Sequence, residues 1–186
     1  MDMRPITPGE RRMLMDVFGP TLPYDTQDVD FNDHEFGGVD NSVTPDGVPF
    51  MAPHLAAADY SDTALSDIHK WVFIHEMTHV WQYYHGHNHK ILCAIGNWIS
   101  HGFDYSAAYP YDLSDSTDFD DYNFEQQASI VGDFWYVSNS KEPRKNTGSD
   151  KSLRSYMNLV VQVQVSGMPR MPMEVTMRYR DRKSVV

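Results

Sequence analysis

Cysteine is nearly absent from this sequence, since Cys93 is the only one among 186 residues. A single thiol can form no intrachain disulfide and cannot supply a cluster of cysteine ligands to a metal ion. Any metal site in the chain must therefore be built from nitrogen and oxygen ligands. The nine histidines are the natural source of the nitrogen.

Positive charge is also scarce, with 15 lysines and arginines against 26 aspartates and glutamates and a formal net charge of −11. Nucleic acids are bound through a basic surface, so this composition predicts no nucleic-acid partner. No apolar run is long enough for a transmembrane helix, and charged residues interrupt the N-terminal segment. We therefore expect neither membrane insertion nor a cleaved signal peptide.

The length is typical of one domain with a hydrophobic core of its own. We expect residues 1–165 to form that domain. Residues 166–186 differ from it, because they carry five basic and two acidic residues and are rich in proline and methionine. This basic tail is expected to pack loosely, with docking to a larger assembly as the alternative.

Local sequence signals predict an α+β domain that is mainly helical, with a small N-terminal sheet. Residues 7–10, Thr-Pro-Gly-Glu, form a capping box that predicts the start of a helix, and Gly19 predicts its end. Two or three short strands are predicted between residues 21 and 54. Further helices are predicted over residues 61–86, 90–100 and 122–138, whereas residues 150–165 suit a helix or a strand.

The main chemical signal is an HExxH motif at residues 75–79, inside the central predicted helix. Two histidines four residues apart lie on one side of a helix, about 6 Å apart along its axis, and can share one zinc ion. Glu76 can then reach a water activated by the metal and act as general base. The surrounding residues are apolar, and burying two imidazoles and a carboxylate is costly unless something satisfies them. We therefore predict a Zn²⁺ site with His75 and His79 as ligands.

Two residues compete for the third ligand position of this zinc site. His85 has the outer spacing of the HExxHxxGxxH pattern of metzincins, but Gln82 stands where that pattern needs a glycine. If the helix continues through Gln82, His85 lies about 15 Å along the axis from His75, too far to share an ion. Glu125, on the next long apolar helix, would complete a His-His-Glu set as in gluzincins, and we favour it.

Other residues are candidates for supporting roles around the metal. Asp133, eight residues after Glu125, could orient a ligand histidine or could lie at the surface. Peptide hydrolysis also needs a hydrogen-bond donor for the developing oxyanion, typically a histidine or tyrosine from a loop over the metal. Residues 101–121 form such a loop, and its candidates are His101, Tyr109 and Tyr111.

Two segments together resemble a known protein family. Residues 73–82, FIHEMTHVWQ, followed by residues 122–128, YNFEQQA, and by Asp133, resemble the zinc metallopeptidase domain of bacterial type VI secretion effectors. This domain occurs as an extension of VgrG spike proteins or as a small separate protein, and the similarity spans roughly residues 5–138. The resemblance implies a zincin-like fold around a central HExxH helix, with His75, His79 and Glu125 as zinc ligands and Glu76 as base.

The resemblance also implies a biological role. A protein of this family is made in the bacterial cytoplasm without a signal peptide and is secreted into a target cell, with the periplasm as one destination. It acts there as an antibacterial or anti-host toxin that hydrolyses peptide bonds in a peptide or protein substrate. A VgrG spike carrier and an immunity protein are the expected partners. Two alternatives are a non-catalytic zinc-binding accessory of the spike and an amidase that cuts cell-wall peptides.

Overall fold

The computed structural model describes residues 3–32, 41–87 and 108–166. They confirm a mainly helical α+β architecture with a small sheet. Within these ranges, no helix is long and apolar enough to cross a membrane. The elements, in order, are β1 (Arg4–Pro5), α1 (Pro8–Phe18), β2 (Asp28–Val29), α2 (Asp67–Gln82), α3 (Phe124–Ser138) and α4 (Leu153–Val165), with single 3₁₀ turns at Pro53–Leu55 and Phe119–Asp121.

Three predicted features fall outside the described residues. They are the helix over residues 90–100, the oxyanion candidate His101 and nearly all of the basic tail. The boundary between a domain at residues 1–165 and a tail at 166–186 therefore stays a prediction.

The first helix begins with the predicted capping box. The Thr7 hydroxyl accepts from the Glu10 backbone N–H, and a Glu10 carboxylate oxygen accepts from the Thr7 N–H. The same carboxylate, fully buried, forms two hydrogen bonds with the Arg4 guanidinium and accepts from the Tyr60 N–H. Glu10 thus joins β1, α1 and the segment that leads into α2. A charge-assisted network of this kind stabilises the interior of a protein because the buried carboxylate is matched by several donors.

The sheet consists of β1 and β2, which pair antiparallel with Arg4 opposite Val29. Strand β1 was not predicted, and of the strands predicted between residues 21 and 54, β2 forms in the described part of that range. Two single bridges extend the pairing, from Asp30 to Phe50 and from Val43 to Phe50. The second bridge places the Val43–Gly47 turn beside the central helix, where it contributes to the functional site.

The central helix α2 is shorter than the predicted 61–86. Ser66 is its N-cap residue, and regular α-helix ends at Gln82. A wider π-type turn, Tyr83–His87, follows, and Gly86 has a φ of 88° that favours glycine. Every residue of α2 from Phe73 to Gln82 is buried. A helix covered on all sides is held by packing rather than by one amphipathic stripe.

Helix α3 crosses α2 closely and brings the third candidate ligand to it. Its own capping box consists of Asn123 and Gln126, which bond each other's backbone N–H groups. Gly132 permits the close approach, because a Cβ atom there would lie 2.8 Å from the indole nitrogen of Trp71. The long predicted helix over residues 122–138 is therefore confirmed with a start at Phe124, and its one glycine has a packing role.

Within residues 150–165, which suit either a helix or a strand in sequence, Leu153–Val165 form the helix α4. Its buried side chains are Tyr156, Leu159, Val160 and Val163, at the three- and four-residue spacing of one helix face. This face packs against α3, and α4 also contacts α1. Burial of that face decides the structure, although the last five residues alternate valine and glutamine in the manner of a strand.

Candidate metal centre

Three buried side chains on α2 and α3 point ligand atoms at one another. Nε2 of His75 lies 3.0 Å from Oε2 of Glu125 and 3.3 Å from Nε2 of His79. Nε2 of His79 lies 3.4 Å from the same carboxylate oxygen. All three residues are at most 6% exposed. The group could hold a metal ion, since one ligand atom from each residue lies within 4.8 Å of the others.

The spacing of these atoms fits a tetrahedral metal site. Metal–nitrogen and metal–oxygen bonds of about 2.1 Å at tetrahedral angles place neighbouring ligand atoms about 3.4 Å apart. The three observed separations, 3.0, 3.3 and 3.4 Å, agree with that value. Two imidazole nitrogens that face each other beside a carboxylate are also a donor set that a divalent transition metal such as zinc prefers. The residues therefore fit a metal ion.

The charges in the cluster lead to the same conclusion. Burial would raise the pKa of Glu125, but the charge of His79 and hydrogen bonds from both histidines hold it well below its usual range. Burial would lower the pKa of His79, but the Glu125 carboxylate outweighs this effect and raises it to about 9. Without a metal, a proton on His79 neutralises Glu125 at neutral pH. A bound cation would take over that role.

Glu76 is buried beside the cluster and is held by a residue from the N-terminal part of the chain. The Thr44 hydroxyl donates to Oε2 of Glu76 at 2.8 Å, and Thr44 itself is 3% exposed. Burial raises the pKa of Glu76, although His79 and His75 oppose the rise. The carboxylate thus has one fixed oxygen and one oxygen that this bond does not hold. Sequence reasoning missed the contact of Thr44 with Glu76.

Asp133 makes no hydrogen bond to a ligand histidine in the described part of the chain. Its carboxylate accepts from the Trp71 indole, from the Tyr111 hydroxyl and from two backbone N–H groups of residues 144 and 145. Asp133 follows Glu125 by eight residues and therefore lies about 12 Å further along α3, where it meets Trp71. Asp133 is thus fully buried rather than at the surface, and its link to the ligand His75 runs through Trp71, whose ring stacks on His75 at 5.1 Å.

The predicted oxyanion donors Tyr111 and Tyr109 lie in different environments. The Tyr111 hydroxyl is committed to the core, where it bonds Asp133 and Tyr156 at 2.8 Å, and burial raises its pKa far above the usual range. These bonds engage the Tyr111 hydroxyl within the core, and its role as a donor to substrate stays a prediction. The Tyr109 ring lies 5.6 Å from the His75 ring and is only partly buried. Tyr109 remains a candidate within the described residues.

His85 does not join the metal-binding group. Its Nδ1 atom bonds the Trp81 carbonyl at 2.7 Å, and its ring stacks on the Trp81 ring at 4.6 Å. The π-type turn at Tyr83–His87 continues the backbone beyond the end of α2 and does not bring it back to the cluster. The structure thus brings Glu125, and not His85, to His75 and His79.

Comparison with known proteins gives the chain a family. No family model matches the chain. It is 33% identical over 138 residues, 73% of its length, to the type VI secretion system spike protein VgrG2b of Pseudomonas aeruginosa, and it spans 13% of that protein. The solved effector domain of Pseudomonas aeruginosa VgrG2b is 32% identical to it, with a TM-score of 0.62. The alignment covers 74% of this chain and 75% of that domain, so the chain belongs to the family of the VgrG2b effector domain, which links it to type VI secretion.

Proposed function

We propose that this protein is a zinc-dependent peptide-bond hydrolase that serves as an effector of type VI secretion. The observation that carries the proposal is the buried cluster of His75, His79 and Glu125 with Glu76 next to it. Two imidazoles and one carboxylate form the ligand set of many catalytic zinc sites, and three protein ligands leave a fourth position open. A zinc ion held there supplies a Lewis acid that polarises a carbonyl and promotes the ionisation of water.

The protein side chains supply the proton transfers and the orientation. The Thr44 hydroxyl holds Oε2 of Glu76, and the other carboxylate oxygen, Oε1, is the one proposed to exchange protons with the reactants. A carboxyl group whose pKa is raised by burial can take a proton from the attacking water and return it to the leaving amine. The Tyr109 hydroxyl is the proposed donor to the oxyanion, because its ring adjoins His75.

The proposed route of delivery rests on the relative. VgrG2b is a spike protein of type VI secretion, and this chain resembles its effector domain. We infer that a VgrG spike carries this protein out of the producing bacterium and that its substrate lies in a bacterial or host target cell. An immunity protein would protect a producer whose own peptides or proteins could be cut.

Removal of the metal tests the proposed function directly. Purified protein is expected to contain one zinc ion per chain and to cleave a peptide library or unfolded proteins. A chelator should remove both the zinc and the cleavage, and added zinc should restore both. Purified peptidoglycan sacculi, incubated in parallel, separate a protease from a cell-wall amidase. A zinc-loaded protein inert on all substrates would favour the accessory role, and full activity without metal would refute the proposal.

The affinity for zinc should depend on pH, because His79 must lose its Nε2 proton before it can bind the ion. With a pKa of about 9, His79 is protonated at pH 6 to 8 in the metal-free protein. The apparent affinity should therefore rise about tenfold per pH unit in that range, since one proton is displaced. Competition with a chelator of known pH dependence measures the slope. A flat profile would show that no proton is displaced.

A further inference from the structure

We propose that Gln82, held in place by Gln127, positions His79 for metal binding by fixing which of its ring nitrogens is bare. The inference rests on the metal centre of the proposed function but assigns a role to two residues outside the ligand set. Nδ1 of His79 lies 2.7 Å from Oε1 of Gln82. A carbonyl oxygen only accepts, so Nδ1 must carry the hydrogen, and a neutral ring then presents a bare Nε2 to the metal.

The orientation of the Gln82 amide follows from its other contacts. Its Nε2 atom donates to the Phe124 carbonyl at 3.1 Å and to Oε1 of Gln127 at 2.8 Å. The Gln127 amide is fixed in turn, because its Nε2 atom donates to the backbone carbonyls of Phe119 and Tyr122, both at 3.0 Å. Backbone carbonyls are acceptors only. These carbonyls therefore fix the orientation of the Gln127 amide and, through it, that of the Gln82 amide. The Gln82 oxygen in turn fixes the hydrogen on Nδ1 of His79.

Burial makes this relay rigid. Gln82 is 0% exposed and Gln127 is 2% exposed, so water does not compete for their bonds. Each amide uses both of its N–H groups and its oxygen, and a turned amide would place its oxygen against carbonyl oxygens and its N–H groups against other N–H groups. Rotation of either side chain would therefore cost several buried hydrogen bonds at once.

The relay also sets the distance between the two helices that carry the ligands. Gln82 follows His79 by three residues on α2, and Gln127 follows Glu125 by two residues on α3. Their mutual hydrogen bond thus ties the helices at the level of these two ligands. His75 has no such support among the described residues, where its Nδ1 atom finds no hydrogen-bond partner and its ring stacks on Trp71.

The test compares zinc affinity in three leucine variants by chelator competition. Gln82→Leu should bind zinc about 10- to 100-fold more weakly, the usual cost of losing a residue that orients a ligand. Gln127→Leu should weaken binding by a smaller factor, because the Gln82 amide keeps its bond to Phe124. Gln162→Leu is the matched control, since Gln162 also bridges a helix to the segment before α3 and bonds the backbone of Phe119. It should bind zinc as the wild type does.

A spectroscopic measurement separates positioning from mere stability. In zinc-loaded wild type, nitrogen NMR should show a slowly exchanging proton on Nδ1 of His79, and this proton should exchange faster in Gln82→Leu. Unchanged zinc affinity in Gln82→Leu overturns the inference, as does coordination of the metal through Nδ1. If the variant fails to fold, the wild-type spectrum alone decides. A wild type that binds no metal would refute the proposed function instead.

Discussion

Replacement of Glu76 by glutamine should abolish hydrolysis while the protein keeps its zinc. The amide has the size of the carboxylate and can still accept the hydrogen bond from Thr44. It cannot accept the proton of the attacking water, and a positioned general base contributes about 10² to 10⁴ in rate. We therefore expect the turnover rate of Glu76→Gln to be lower by about 10² to 10⁴ or more, measured on the substrate that the wild type cleaves.

Metal content and a surface variant make this result interpretable. The zinc content of Glu76→Gln should equal that of the wild type, because Glu76 lies outside the ligand group. Glu142→Gln removes a carboxylate whose side chain is 87% exposed and should leave activity unchanged. Thr44→Val should give an intermediate loss, since it frees the carboxylate to rotate without removing it. Full activity in Glu76→Gln would contradict the assigned base and would leave zinc with another role.

The sequence predicts those features of the molecule that arise from residues close to one another in the chain. A capping box depends on residues three positions apart, so the start of α1 was predictable from Thr7 and Glu10 alone. Helical spacing likewise places His75 and His79 on one side of α2. Glu125 lies 50 residues from His75, and its selection needed an apolar helix around it and the resemblance to a known family.

The remaining features depend on how the helices cross. Asp133 and Tyr111 have polar side chains in the predicted active-site segments, yet both bond each other and Trp71 or Tyr156 in the core. No local rule predicts a pairing across 22 or more residues, because it arises from the approach of α3 to α2. The hydrogen bond from Thr44 to Glu76 is of the same kind. The residues at the end of α4 left helix and strand both open, and burial of one helix face decided between them.

Gln82 shows how a residue can be noticed in sequence for a different reason. Gln82 stands where a metzincin would have a glycine, and in the sequence this difference is an argument against His85 as a ligand. The structure places its amide on His79. A side chain three residues after a ligand histidine lies on the same helix face, so the contact is compatible with the sequence. The choice of this partner over solvent depends on Gln127, which comes from the other helix.

Loss of Glu125 should have the second large effect, because it removes one of three metal ligands. Glu125→Gln keeps the shape of the side chain but offers a weaker, neutral oxygen, and Glu125→Ala offers none. Zinc affinity should fall in Glu125→Ala by more than the roughly 100-fold upper cost of losing an orienting residue. Chelator competition and zinc content measure the loss. His85→Ala is the matched control and should retain zinc, because His85 bonds the Trp81 carbonyl outside the cluster.

The same variants test the electrostatic account of the cluster. Burial lowers the pKa of His79, and the Glu125 carboxylate makes the main opposing contribution, ahead of Glu76 and Gln82. In metal-free Glu125→Gln, the pKa of His79 should therefore fall, and its NMR titration should move to lower pH. Its charge then opposes metal binding less, so the slope of zinc affinity against pH should flatten even as the affinity falls. Retained zinc in Glu125→Ala with loss in His85→Ala would instead restore the metzincin arrangement, since His85 would then be the third ligand.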